Sequence, residues 1–179
     1  MHDVVLTLLG PDRPGMVESV AQTVARHGGN WLESRMAHLA GKFAGILRVE
    51  VPEDELPGLV EALQQLERTG LQVVVEPSEP AAAPAGARTI EVDLLGLDRP
   101  GIVRDISRLL VQNGGNVEEL TTDRSSAPMS GEPLFRASIR VAVPADADLG
   151  SLRAELERLA GDLMVELRLI ETVGPKAEG

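Results

Sequence analysis

The chain has 179 residues and a formal charge of −11; 43% of it is hydrophobic but only 2% aromatic, so its cores must be aliphatic. Lys and Arg are scattered singly among carboxylates, which excludes the clustered basic surface that phosphate contacts require, and the scarcity of rings excludes a base-stacking platform. Cysteine is absent, which excludes disulfides, thiolate metal sites and cysteine nucleophiles.

In chain order, Val4, Leu6 and Leu8 alternate as one face of a half-buried strand. The segment Gly10-Pro11-Asp12-Arg13-Pro14-Gly15 follows, and Pro14 suits the first position of a helix, where a missing N–H costs nothing. Val17, Val20, Ala21 and Val24 make the apolar stripe of that helix, and Gly28 suits a left-handed C-terminal cap. Two strands come next. Asn30 opens the first, and Phe43, Gly45, Leu47, Val49 and Val51 share one face of the second, which Pro52 ends. Leu59, Leu63 and Leu66 mark a second helix, and Leu71 to Val75 a last strand. Pro77 to Gly86, rich in Pro and Ala without apolar periodicity, reads as a semi-extended linker.

The same order is then written again. Leu94-Leu95-Gly96-Leu97-Asp98-Arg99-Pro100-Gly101-Ile102-Val103 repeats Leu8 to Val17, Gly114-Gly115-Asn116 repeats Gly28-Gly29-Asn30, and Glu119 keeps the register of Glu33. Ile90, Val92 and Leu94 alternate with Glu91 and Asp93. A helix stripe of Val103, Ile106, Leu109 and Leu110 follows, with Pro100 at its first position. Phe135, Ala137, Ile139, Val141 and Val143 form a strand face with Arg136, Ser138 and Arg140 outward. Leu152, Leu156 and Leu159 mark the next helix, and Leu163 to Ile170 the final strand. The order β-α-β-β-α-β, twice, predicts an α+β chain of two ferredoxin-like domains in tandem, over 1–77 and 88–174 with a linker at 78–87. Each antiparallel sheet carries helices on one face and leaves an edge strand open. Domains of about 80 residues are marginal alone, so pairing is expected, within one chain or across a homodimer.

The repeated Gly-x-Asp-Arg-Pro-Gly loop is the candidate site. Gly10 and Gly96 allow unusual backbone angles, and Gly15 and Gly101 let a ligand approach the first helical turn. Free N–H groups there suit a carboxylate, and Asp12 or Asp98, beside Arg13 or Arg99, suits an ammonium. Asn30 and Asn116 open a strand expected to lie beside the first, so their amides would complete a set that points to an amino acid. Asp, Pro and Gly also punctuate helix starts for local reasons, and Gly-Gly-Asn is a good turn, so the loop is equally compatible with a capping role.

With that loop in that frame, the chain resembles the ACT domain, a regulatory module that commonly binds amino acids where two copies meet. Leu32-Glu33-Ser34-Arg35-Met36-Ala37 with Gly41-Lys42-Phe43-Ala44-Gly45, and Ala127-Pro128-Met129-Ser130-Gly131-Glu132-Pro133-Leu134-Phe135, are similar to the two halves of the glycine cleavage system transcriptional repressor family. The resemblance implies a cytoplasmic repressor that senses a small amino acid, glycine, and acts by protein contact with a transcription activator rather than by binding DNA. A stand-alone ACT regulatory subunit that tunes a metabolic enzyme is the other reading.

No enzyme is expected. His2, His27 and His38 lack metal-ligand spacing, Ser34 lacks a nucleophile elbow, and the glycines form neither a dinucleotide fingerprint nor a phosphate loop, so no catalytic residue, metal or cofactor is assigned. The loop also occurs in formyltetrahydrofolate deformylases, but no hydrolase domain is expected after Val173. Neither a signal peptide nor a membrane span is expected, because the start lacks a basic region before an apolar run and no run approaches about 20 apolar residues. The segment Ser125 to Pro133 lengthens the second domain's hairpin and reads either as a recognition loop or as a tolerated insertion.

Overall fold

The computed structural model describes residues 1–78, 86–127 and 131–172. Most of the linker, Pro128 to Ser130 of the long hairpin (with Met129), and the chain from Val173 onward lie outside the described residues. The chain divides into two compact units, Met1–Ala81 and Ala82–Gly179.

The first unit runs β1 (His2–Pro11), α1 (Met16–Arg26), β2 (Asn30–Leu39), β3 (Lys42–Val51), α2 (Leu56–Gln65), a 3-10 turn (Leu66–Thr69) and β4 (Gln72–Pro77). Its antiparallel sheet has the order β2-β3-β1-β4. Val4, Leu6 and Leu8 of β1 and Leu47, Val49 and Val51 of β3 point to one face and pack with Val20, Val24, Leu59 and Leu63 of the helices. Trp31 lies against this cluster. The other face is open, and at its centre Leu9, Ile46 and Val74 are 47%, 57% and 55% exposed.

The second unit repeats the plan with β5 (Arg88–Leu97), α3 (Ile102–Gln112), β6 (Asn116–Ser126), β7 (Pro133–Val143), α4 (Leu149–Leu163) and β8 (Val165–Thr172), in the sheet order β6-β7-β5-β8. Ile90, Val92, Leu94, Ile139 and Val141 pack with Ile106, Leu110, Leu152 and Leu156. The ferredoxin-like expectation holds in both units.

Three expectations are corrected. Val20, Val24, Ile106 and Leu110 are buried as expected, but Val17 and Val103 are exposed, and Met16 and Ile102 take their places at the head of each stripe. The helices start at Met16 and Ile102, after Gly15 and Gly101, which hold a left-handed conformation at the N-cap. That also removes Pro14 and Pro100 from the first helical position, since each lies one residue before the cap. The last strand begins at Val165 rather than Leu163, because α4 runs through Leu163 and reverses at Met164, whose φ is 54°.

The left-handed caps at Gly28 and Gly114 are as expected. Gly28 N–H donates to the Ala25 carbonyl and Gly29 N–H to that of Val24, and Gly114 and Gly115 donate likewise to Val111 and Leu110. This double bond pattern satisfies carbonyls that a helix end otherwise leaves unpaired. A β-bulge between Trp31 and Glu33 recurs between Val117 and Glu119, so both units twist their open edge strand at the same place.

Candidate functional site

In the first unit β1 delivers the chain to Asp12 at one end of the sheet. Asp12 N–H donates to the Gly41 carbonyl at 2.9 Å, which pins the loop to the β2–β3 turn. That turn is Ala40-Gly41 with φ of 49° and 75°, the two-residue form that matches the twist of the strands. Gly15 has φ of 87°, where a Cβ is costly, and its carbonyl accepts from Ser19 N–H and Ser19 Oγ, both at 2.9 Å. Asp12, Arg13 and Gly15 are exposed, and among the described residues no ion pair or side-chain hydrogen bond engages the Asp12 carboxylate or the Arg13 guanidinium.

The second loop has the same backbone and different company. Asp98 N–H donates to the Pro133 carbonyl at 2.8 Å, the counterpart of the Asp12 bond. Its side chain, though, forms an ion pair with Arg124 on β6, with Nε 2.8 Å from Oδ2. The Arg99 guanidinium donates to the Leu163 carbonyl at the end of α4. Arg104 lies over Gly101: a Cβ there would stand 3.0 Å from its guanidinium, whereas one on Gly15 would meet nothing within 4 Å. Arg104 also bonds Asp105, with Nε 2.8 Å from Oδ1, and that hydrogen bond holds the Asp105 carboxyl below its ordinary range.

Gly10 and Gly96 are needed for space rather than for backbone angle, since neither has a positive φ. A Cβ on Gly96 would stand 2.5 Å from Val165 Cγ1 and 2.8 Å from Val165 Cα; one on Gly10 would stand 2.7 Å from Met16 Cε and 3.0 Å from the Gly70 carbonyl oxygen. These glycines let the last strand of each unit close against the root of the loop.

Asn30 and Asn116 do not join the loops. The second strand of each unit is not beside the first, because the third lies between them. Asn30 pairs with Glu50, which pairs with Asp3, and Asn116 pairs with Ala142, which pairs with Thr89. Both asparagines therefore sit at the end of the sheet where the first strand begins, about 25 Å of strand from the loop. The helix between the first two strands carries the chain back along the whole sheet, a consequence of topology that spacing in sequence does not reveal. The residues missed from sequence are Arg124, Arg104 and the carbonyls of Gly41, Pro133 and Leu163, each brought to a loop by tertiary pairing.

Among the described residues no group of three or more His, Asp and Glu is placed to hold a metal ion, and no helix is long and apolar enough to cross a membrane. His27 is the C-terminal cap residue of α1, with Nδ1 3.0 Å from Glu55 Oε2.

Residues 2–76 match the ACT domain family, and the second unit repeats its strand order and loop. The first unit thus matches the ACT domain, and the second shares its fold and its loop. It resembles the glycine cleavage system transcriptional repressor of Escherichia coli (strain K12), with 25% identity over 166 residues that cover 90% of this chain and 86% of that one. A crystal structure of an unknown protein from Galdieria sulphuraria aligns over 96% of this chain and 99% of that one, with a TM-score of 0.85 and 30% identity. A second crystal structure, of a protein provisionally assigned as a glycine cleavage system transcriptional repressor, aligns over 96% and 97% with a TM-score of 0.70; at 22% identity it shows a shared fold.

Proposed function

We propose that the protein is an amino-acid-sensing regulator that takes a small amino acid, glycine, at the strand-to-helix loop and modulates transcription of glycine-cleavage genes by contact with an activator protein. The observation that carries the reading is the first loop itself. A carboxylate and a guanidinium with no ion pair among the described residues lie next to the start of a helix there, beside a surface left open at Gly15. An ammonium suits Asp12, and a carboxylate suits Arg13 and the first-turn N–H groups. The whole-length likeness to a glycine cleavage repressor supplies the choice of glycine and of a transcriptional role. With 28 acidic residues against 17 basic ones, the surface favours action through a protein over direct contact with DNA.

The asparagines lie too far from the loop of their own unit to share its ligand. A complete set of carboxylate, guanidinium and amide arises only when a second unit presents its far end, so the ligand-bound form is read as a pair of such units, within one chain or across a homodimer, in the cytoplasm. Ligand binding then changes regulation by favouring one arrangement of the paired units over another, and it shifts the balance only as far as its affinities for the two differ.

Isothermal titration of the purified chain with glycine, alanine and serine tests this, with sedimentation run with and without ligand. Saturable heat at millimolar ligand and a ligand-dependent shift toward dimer are expected. Folded protein that gives no heat with any amino acid refutes the reading. Affinity capture should then recover a transcription activator; recovery of a metabolic enzyme instead assigns the protein as a detached regulatory subunit.

A further inference from the structure

We infer that the second loop carries its own occupant, Arg124, and that each chain therefore takes up one amino acid, at the first loop. The inference rests on reading the repeated loop as the amino-acid site, and it concerns which copy works.

The two loops share letters, backbone and pinning hydrogen bond, yet differ at every group that a zwitterion would use. The Asp98 carboxylate already holds a cation, the Arg124 guanidinium. The position that supplies this arginine is defined by strand register: Arg124 on β6 faces Phe135 on β7, and in the first unit the same place, opposite Phe43 on β3, holds His38. No ion pair joins His38 to Asp12. One substitution at one sheet position thus separates a filled carboxylate from an open one.

The second charged group follows the same division. Arg99 donates to the last carbonyl region of α4, at Leu163. In the first unit the corresponding stretch closes on itself. Thr69 Oγ1 donates to the Leu66 carbonyl at 2.6 Å, Leu71 N–H to the same oxygen at 3.3 Å, and Gly70 N–H to Glu67 at 2.9 Å. Among the described residues no hydrogen bond joins Arg13 to that helix end. Arg104 completes the contrast by lying over Gly101, where the first unit has bare surface at Gly15.

An amino acid at the second loop must displace Arg124 from Asp98 and recover Arg99 from Leu163. A solvent-exposed ion pair and a charge-assisted hydrogen bond together oppose the ligand by roughly tenfold or more in affinity. At a glycine concentration that half-fills the first loop, the second is then filled to only about a tenth or less.

The test is calorimetric titration of the full chain with glycine, paired with amide spectra in which Gly15 and Gly101 are followed separately. Wild type should bind one glycine per chain and move Gly15 alone. Asp12→Ala should abolish binding and Asp98→Ala should leave it. Arg124→Ala, an exposed change, should add a second site and bring Gly101 into the response. His38→Arg should transfer part of the block, weakening the first site by about two- to fivefold. Two glycines per chain in wild type overturn the inference while leaving the proposed function standing, as does loss of binding in Asp98→Ala with retention in Asp12→Ala. Absence of binding in wild type and Arg124→Ala alike overturns both.

Discussion

Replacing Gly96 with alanine places a methyl group where β8 closes against the root of the second loop. The added carbon would stand 2.5, 2.8 and 2.9 Å from Val165 Cγ1, Cα and Cβ, whereas carbon atoms pack best at about 3.5–4.0 Å. Each contact is short by roughly 1 Å, and one is to backbone, so a rotamer change alone cannot relieve it. Gly96 and Val165 are the terminal pair of the β5–β8 ladder, so the cheapest relief is to fray that pair and shift the start of β8. Overpacking of this kind costs about 2–4 kcal/mol. Gly10→Ala is the internal control. Its nearest contact is the flexible tip of Met16 at 2.7 Å, and its backbone contacts lie at 3.0 Å and 3.3 Å, so we expect about 1–2 kcal/mol. Urea unfolding of the full chain, with midpoint and slope fitted for each variant, measures both. The reasoning about space is refuted if Gly96→Ala falls within about 0.5 kcal/mol of wild type, or costs less than Gly10→Ala.

Three other variants test separate features of the fold. Asp148 caps α4 by accepting from Ser151 N–H at 3.0 Å, so Asp148→Ala should cost about 1 kcal/mol in the same assay, and Asp148→Ser should restore most of it. Met164 is exposed with φ of 54°, so Met164→Gly should raise stability by about 0.5–1 kcal/mol; a loss would show that its side chain packs usefully. The hydrogen bonds from Arg48 hold the Asp3 carboxyl below its ordinary value of 3.8, with Arg48 Nε 2.9 Å from Oδ1 and 2.8 Å from Oδ2. A carboxyl whose value is lowered by folding adds stability that is fully present above its unfolded value and is lost as pH falls through the lowered one. Asp3→Asn should therefore flatten the acid limb of a stability-against-pH curve below about pH 4 and leave its shape at neutral pH unchanged; an unaltered acid limb would discount the pair.

What could be read from the sequence is what local physics sets. The alternation of Val4, Leu6 and Leu8, and of Ile90, Val92 and Leu94, marks the buried strand faces because side chains in a strand alternate by residue. Gly28 and Gly114 mark helix ends because few other residues take a left-handed cap. Only the head of the helix stripe is not legible, Met16 rather than Val17, because Gly15, not Pro14, precedes the first turn, and a left-handed glycine leaves no signature that separates it from an ordinary turn glycine. The site was legible only in part. Asp12, Arg13 and Gly15 stand together because they are adjacent in the chain, but Asn30 stands with Asp3 because β3 is inserted between β1 and β2. The partners that decide each loop's state come from afar: Leu163, bonded by Arg99, is 64 residues away.

This division between local and distant residues explains how a duplicated sequence can hold two unlike sites. The backbone solution is common to both units, because the left-handed glycine, the double C-cap bond, the bulge and the hairpin pin are each encoded within a few residues and were copied together. Side chains at sheet positions are free to diverge without disturbing any of these. On the open face, Thr7 stands between Ile46 and Val74, and its counterpart Asp93 stands between Ser138 and Arg168. An apolar surface in one unit is thus a charged one in the other. At the loop, His38 and Arg124 differ in the same manner, at one register position and with no change of fold. The loop and the open face can then change independently in the two copies, since the strand order that carries both is held by buried aliphatic residues that neither uses.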